Sequence, residues 1–293
     1  MNQDYQTQLK QAVEKIREAE VIIIGGASGL STANGHDFYN HSDYFKKHFT
    51  EFEQKFGVTG CFQALYHRYP NRQSRWAYLS KHATAMFDEP AGQTYLDLRK
   101  LVGDKSHFVI TTNQDMQFSK VFDEDKIAYP QGDAHWLQCS KPCHDAVYPA
   151  EEAVRKMAAS IEDCAVNPAT IPTCPNCGAD LEPWIRSYEF LEGTFWAEKL
   201  AIYQDFVVKN HNKKILFIEM GVGRMTPNII KYPFSKMANL WPNAFLIRIN
   251  QKEDFFPAMK EGKAVIFDHD IAATLRDLVA LKNQQEQNHE SAA

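Results

Sequence analysis

The chain has 293 residues, 44% hydrophobic and 24% charged, the balance of a soluble globular protein with one large domain or a main domain and a smaller module. A net charge of −5 and a pI of about 6.1 argue against binding nucleic-acid backbones, whose protein footprint is basic. The polar start MNQDYQTQLKQ lacks the apolar core of a signal peptide and no apolar run reaches the roughly 18 residues of a membrane span, so the sequence reads as cytoplasmic, with no nucleic-acid or membrane partner.

Tyr5, Leu9, Val13 and Ile16 fall at helical spacing and predict a helix over residues 3–19. Val21–Ile24 is an unbroken apolar, β-branched run that ends in glycines, as a strand buried on both faces does. Residues 36–80 are aromatic-rich and read as a helical cofactor-loop insertion. Further apolar runs at Phe108–Thr111, Ile127–Tyr129, Ile215–Met220, Phe245–Asn250 and Val265–Phe267, with helical patterns between several of them, predict an α/β fold with a Rossmann-like parallel sheet. Residues 131–190 interrupt that alternation as a cysteine-bearing module. The expected division is a discontinuous main domain over 1–35, 81–130 and 191–282, with the two insertions building a smaller lobe. Ile271, Leu275 and Leu278 face a last helix capped by Asp270, and the polar segment 283–293 is expected to fray.

The module holds Cys139 and Cys143, spaced C-x3-C, and Cys174 and Cys177, spaced C-x2-C within CPNCG. Four thiolates in two close pairs can close a tetrahedral Zn²⁺ shell with no open position, which is a structural site. Unligated thiols are the bland alternative. A redox CxxC is disfavoured because the pair does not open a helix after a βαβ strand. Cys61 and Cys164 stand alone and read as ordinary buried residues.

Gly25, Gly26 and Gly29 directly follow the first predicted strand, where glycine permits a tight turn and close approach to a pyrophosphate, although the pattern is not the regular G-x-G-x-x-G. Polar residues or glycines also close the other predicted strands, at Thr111–Asp115, Gln131–Asp133, Gly221–Pro227, Ile249–Asn250 and Asp268–Asp270. Gathered on the carboxyl rim of one parallel sheet, such ends make a dinucleotide site.

These motifs, in this order from about residue 20 to 280, resemble those of the sirtuin (Sir2) family of NAD-dependent enzymes. GASGLSTANGHDF is similar to the family's GAGIS-x-x-x-GIPDF loop, with one residue inserted and one lost. TTNQD is similar to TQNID, PQGD stands in place of LHGS, and the cysteine quartet stands where the family has its zinc module. CGADLEPWIRSYEF is similar to C-G-x-x-x-x-P, FIEMGVGRMTP to VIGTSLxVxP, and LIRIN to the strand that ends in IN. The departures are specific: Gln131 replaces the histidine of LHG, Tyr39 the arginine after DF, Gln114 the usual aliphatic residue, and Gly221-Val222-Gly223 the GTS loop. They resemble class M sirtuins, encoded beside macrodomain proteins and described as protein ADP-ribosyltransferases without deacylase activity. That class acts on a lipoylated carrier related to glycine-cleavage protein H.

The resemblance implies NAD and a structural Zn²⁺ as cofactors, a protein acceptor as substrate, and a macrodomain protein as functional partner. It places Gly26, Ala27, Ser28, Gly29, Leu30, Asp37, Phe38, Gly221, Val222 and Gly223 around the cofactor, with hydroxyls from Ser28, or from Ser31 and Thr32, adding to the phosphate site. Asn113 would position the nicotinamide ribose beside Gln114, Asp115 would bind the carboxamide, and Asn250, His269 and Asp270 would hold the adenosine half. Asp37 and Asp270 can equally serve as turn or helix caps. Catalysis would fall to Asn113, Asp115, Gln131 and Arg186, the last steadying an acceptor carboxylate or a ribose hydroxyl unless it is a surface arginine.

In sirtuin deacylation an acyl oxygen attacks the ribose and a histidine then deprotonates a ribose hydroxyl. General-base help of that kind contributes roughly 10²–10⁴-fold and needs a pKa near the working pH. Gln131 has none, yet it can donate and accept hydrogen bonds. The expectation is a ribose held but not deprotonated, with transfer of ADP-ribose to protein surviving. The competing readings are a residual deacylase, with His135 as substitute base, and a non-catalytic NAD or ADP-ribose sensor. Retention of Asn113 and Asp115 argues against the sensor.

Overall fold

The structure, a computed structural model, describes residues 3–251 and 257–292. In chain order the elements are α1 (Gln3–Glu18), β1 (Val21–Gly26), α2 (Ser28–Ala33), α3 (Asp43–Phe56), α4 (Cys61–Leu65), α5 (Arg72–Asp88), α6 (Gln93–Val102), β2 (Ser106–Thr111), β3 (Ile127–Ala128), β4 (Gly132–Cys139) and β5 (Val147–Pro149), followed by α7 (Glu151–Ala158), β6 (Leu181–Ile185), α8 (Thr194–Lys209), β7 (Ile215–Met220), α9 (Lys231–Leu240), β8 (Ala244–Ile249), β9 (Ala264–Phe267) and α10 (Ile271–Ala292).

All six strands expected from apolar runs are present and pair in parallel, in the order β3-β2-β1-β7-β8-β9. Every residue of β1, β7 and β8 is buried, because helices cover both faces of the sheet. Leu9, Val13, Leu98, Leu101 and Leu275, from α1, α6 and α10, fill one side. Tyr203 and Phe234, from α8 and α9, fill the other. The strand order reverses between β1 and β7, which opens a crevice at their carboxyl ends.

A second sheet, antiparallel in the order β5-β4-β6, carries the cysteines. Its inner residues Leu137 and Leu181, with Cys174, share one core with Phe45, Phe49, Phe52 and Tyr78, so the two insertions pack on each other. The boundary expected at 80/81 falls inside α5, a continuous helix whose residues Trp76–Leu79 and Ala83 lie in this second core. The segment expected to fray is helical through Ala292: it is rich in Gln, Glu and Ala and contains neither Gly nor Pro to stop a helix. Its last residue, Ala293, lies outside the described residues. Among the described residues no helix is long and apolar enough to cross a membrane.

Two of the apolar strands each carry a buried charge. Glu219 on β7 lies opposite Arg248 on β8, whose Nε and Nη2 reach its Oε2 at 2.8 and 2.7 Å. Nη2 also donates to Ser235 Oγ of α9 at 2.7 Å. The pair pins β7, β8 and α9 together just below the crevice. Arg248→Met should therefore cost about 3–5 kcal/mol, because a buried carboxylate loses its cation. Calorimetry should show this as a fall in Tm of roughly 5–8 °C.

Candidate active site

A cavity of about 250 Å³ opens at the carboxyl ends of β1, β2 and β7. Ala27 and Ser28 line it from the start of α2, Asn113 and Gln114 from the end of β2, Gln131 from the turn before β4, and Gly223 from beyond β7. Ligand clefts typically begin at about 300 Å³, so this space suits one end of a dinucleotide rather than the whole. Its outer wall is apolar, with Phe62, Tyr66 and Met225 exposed at the mouth.

Behind the wall lies a polar network. Asp115 is 2% exposed and is not a lining residue. Its Oδ2 accepts from Ser31 Oγ and Tyr95 OH, both at 2.6 Å, and its Oδ1 accepts from the Gln117 amide at 3.1 Å. Burial, with the charge of Asp115 beside it, holds the Tyr95 phenol far above its ordinary pKa, so it stays a donor. Asn113 Nδ2 lies 3.2 Å from that same phenol oxygen, which fixes the amide on the cavity wall. Ser31, which also lines the cavity, gives its hydroxyl proton to this acid. Tyr95 had no sequence signal, since one tyrosine on the buried face of α6 looks like core.

Gln114 donates from Nε2 to Gly132 O at 2.9 Å and to Gln131 O at 3.4 Å. Arg186 clasps the same turn: its backbone amide donates to Gln131 O and its Nη2 to Pro130 O, both at 2.8 Å. Its Nη1 donates to Glu192, and the group lies 4.1 Å from the centre of the Phe190 ring. Arg186 lines the cavity, but its charge already has a carboxylate partner.

The glycines act through close packing. The Gly29 amide donates to Gly221 O at 3.0 Å, and a Cβ on Gly29 would lie 2.6 Å from Gly221 Cα. Gly221 has φ +64°, and a Cβ there would meet Leu30 N at 2.4 Å. Gly223, by contrast, faces the cavity, and a Cβ added there would meet nothing within 4 Å.

Several expected cofactor residues lie away from the wall. Gly26, Leu30 and Val222 are packed backing, with Leu30 and Val222 fully buried. Asp37 caps its own loop, accepting from the Tyr39 and Asn40 amides at 3.1 and 3.2 Å. Asp270 caps α10 through the Ala273 amide at 2.8 Å. His269 packs on the Tyr5 ring at 4.4 Å, and Asn250 donates to Val222 O at 3.2 Å. Phe38 does line the cavity, against the His82 ring at 5.4 Å. His82, missed by the sequence reading, has its pKa pushed down to about 3 by burial, with His36 and His48 adding repulsion. His135 is not among the lining residues. Its Nδ1 bonds Asp133, and although burial opposes the charged form, the Asp133 contact prevails and raises its pKa.

The Cys139, Cys143, Cys174 and Cys177 sulfurs all lie within 4.8 Å of one another, with Cys139–Cys177 and Cys143–Cys174 at 3.6 Å. A tetrahedron with Zn–S of about 2.3 Å has sulfurs about 3.8 Å apart, so the quartet fits structural zinc. Cys174 sits in a tight knuckle: its carbonyl accepts from Gly178 N at 2.9 Å, and Gly178 takes φ +71°.

No protein-family model matches the chain. A protein ADP-ribosyltransferase of Staphylococcus aureus is 31% identical over 272 residues, 92% of this chain and 85% of that protein. A probable bifunctional ADP-ribose hydrolase/ADP-ribosyltransferase of Fusarium oxysporum f. sp. cubense is 27% identical over 238 residues, 78% of this chain and 40% of that protein. Among solved structures, a sirtuin studied for substrate affinity superposes with a TM-score of 0.60 at 17% identity, covering 93% of this chain and 98% of that one. A Sir2 homolog–NAD complex gives 0.60 at 14% identity, covering 94% of each chain. Parallel sheet, switch-point crevice and cysteine lobe together define a sirtuin fold. With its sequence match to the staphylococcal transferase, the chain belongs to the sirtuin family.

Purified protein should hold about one equivalent of zinc, and Cys174→Ser should lose it while loosening the lobe core, read by metal analysis and circular dichroism. Gly29→Val should cost roughly 1–3 kcal/mol by forcing two backbones apart. Gly223→Val should leave stability within about 0.5 kcal/mol yet weaken NAD binding about tenfold or more, a difference that thermal melts and calorimetry resolve.

Proposed function

We propose that the protein is an NAD-dependent protein ADP-ribosyltransferase, in which Ala27, Ser28 and Gly223 cradle the pyrophosphate and Asn113 and Gln131 hold the nicotinamide ribose. The observation that carries this reading is the chemistry of the cavity wall. Among the described residues that line it there is no carboxylate, and the one imidazole is His82, whose pKa of about 3 leaves it a feeble base. The Cys61 thiol is pushed up to about 12 by burial and stays protonated. Gln131 stands on the wall with hydrogen-bonding capacity and no ionisation.

NAD supplies an ADP-ribosyl group with nicotinamide as leaving group. The protein's own groups then bind, orient and exclude water. Asn113 is preset by the Tyr95 phenol, and Asp115 acts through Tyr95 and Ser31 as a positioning residue. Arg186 shapes the turn that presents Gln131. With no base on the wall, the acceptor must arrive already nucleophilic, as a carboxylate does.

The apolar mouth formed by Phe62, Tyr66 and Met225 suits an acceptor that presents an aliphatic arm. The acceptor we favour is a lipoylated carrier related to glycine-cleavage protein H, in the cytoplasm, with a macrodomain protein removing the mark. The name of the fungal relative, which joins ADP-ribose hydrolase to ADP-ribosyltransferase in one chain, supports such a pairing.

Gln131→Ala should lower transfer to protein about 10- to 100-fold and NAD affinity by much less, since a contact strongest in the transition state is expressed in turnover. Gln131→His restores a group with pKa near 6.5 but not the rest of a deacylase site, so at most weak deacylation of an acetyl-lysine peptide is expected. Mass spectrometry of peptide and acceptor after incubation with NAD reads both. Deacylation by wild type at about 1 s⁻¹, with no label on protein, would overturn the transferase reading.

A further inference from the structure

The sulfur cluster has a further polar neighbour besides its four thiols. His144 directly follows Cys143, and its Nδ1 lies 3.1 Å from Cys143 Sγ and 3.8 Å from Cys174 Sγ, beside the edge those two sulfurs share. The donors that lie within 4.8 Å of one another are the four sulfurs, without the imidazole. Their spacing already matches a closed four-sulfur shell, so the ring sits just outside it.

A thiolate on a metal has no proton to give, so the contact requires a hydrogen on Nδ1. The other nitrogen of a neutral ring is then an acceptor, and Nε2 meets the Tyr148 phenol, a donor at neutral pH, at 2.5 Å. Tyr148 is placed by β5, where it pairs with Leu137 of β4. The adjoining acid, Asp145, is turned to α8, where both its oxygens accept the Thr194 amide at 2.9 Å. Asn176 Nδ2 brings a second donor to Cys143 Sγ at 3.3 Å. Cys143 is exposed, whereas Cys139 and Cys174 are buried, so it is side-chain donors that attend this sulfur.

We propose that His144 is an outer-shell donor of the zinc centre: Tyr148 locks its ring as the Nδ1–H tautomer, and that hydrogen is shared by the Cys143 and Cys174 thiolates. The proposal rests on the quartet being a structural zinc site and is independent of the NAD reading. Four thiolates around one Zn²⁺ carry surplus negative charge, and donors aimed at sulfur withdraw part of it. Outer-shell partners of this kind orient the ligands and raise metal affinity. They also make the exposed sulfur a poorer nucleophile, since thiolate character controls cysteine reactivity. The competing use of the same imidazole is as a ligand, in a shell of three cysteines and one histidine. That shell would need the ring nitrogen inside it and bare of hydrogen.

The test uses the intact zinc protein and three readouts: zinc affinity by competition with a chromogenic chelator, alkylation of Cys143 by iodoacetamide followed by mass spectrometry, and the sulfur-to-metal charge-transfer band after exchange of zinc for Co²⁺. His144→Leu keeps bulk and removes the donor. It should weaken zinc binding about 10-fold or more, speed alkylation of Cys143 and move the band to lower energy. His144→Asn, whose amide N–H reaches about as far as Nδ1, should hold zinc within about threefold of wild type and restore the band. A role confined to packing would not separate these two variants in that direction. Tyr148→Phe, which unlocks the tautomer, should fall between wild type and His144→Leu. Unchanged affinity and band in His144→Leu, or zinc lost as fully from His144→Asn as from His144→Leu, would each overturn the proposal. So would tight zinc binding in Cys143→Ser together with its loss in His144→Leu, which would make the ring a ligand. Should His144→Leu not fold, Tyr148→Phe decides: affinity and band identical to wild type would overturn the assignment. Wild type purified without zinc would instead overturn the metal reading, and this proposal with it.

Discussion

The crevice depends on two backbones touching where neither residue can carry a side chain. Gly29, entering α2, and Gly221, leaving β7, approach so closely that a Cβ on either would lie 2.6 Å or less from the other's segment. Their hydrogen bond, with that from Ala27 N to Met220 O at 3.1 Å, ties the two loops at the reversal of strand order. The chain leaving β1 and the chain leaving β7 diverge only above this point, and the divergence is the cavity. Glycine here determines how near two strands can hold their loops, and only secondarily how near a phosphate can come.

The second constraint runs along β4. Cys139 ends this strand in the sulfur cluster, and Gly132 begins it beside Gln131. Gly132 takes φ +75°, and a Cβ there would lie 2.0 Å from the Trp184 carbonyl of β6. The sulfur cluster and the turn before β4 thus lie at opposite ends of one strand, with a register shift between Gly132 and Leu137.

The polar side of the wall carries three amides among its hydroxyls. Asn113, Gln114 and Gln131 each offer a donor and an acceptor, and none can move a proton at neutral pH. The ionisable groups nearby are neutralised by burial, as with His82 and Cys61, or consumed by partners, as with Asp115 and Arg186. Such a wall is suited to orientation and transition-state contact rather than to acid–base chemistry. The burden of nucleophilicity then falls on the acceptor.

The sheet was legible from the sequence because burial on both faces demands unbroken β-branched runs, a local property that survives without knowledge of the fold. The cysteine quartet was legible because close pairs of thiols have few uses other than metal ligation where thiols stay reduced. The polar strand ends were legible because a parallel sheet gathers its carboxyl ends on one rim. What each polar residue does there was decided only in three dimensions. Ser31 and Asp115 are 84 residues apart in the chain and 2.6 Å apart in the fold. Asp37 and Asp270 stand where the motif places ligands, and in the fold each accepts from amides of its own turn. Residues 72–88 form one helix across an expected boundary, since the aromatic face of α5 finds its partners in a lobe assembled from two distant insertions. Local patterns state what a segment can bury. Only packing decides which donor meets which acceptor, because that depends on side chains that converge from separate parts of the chain.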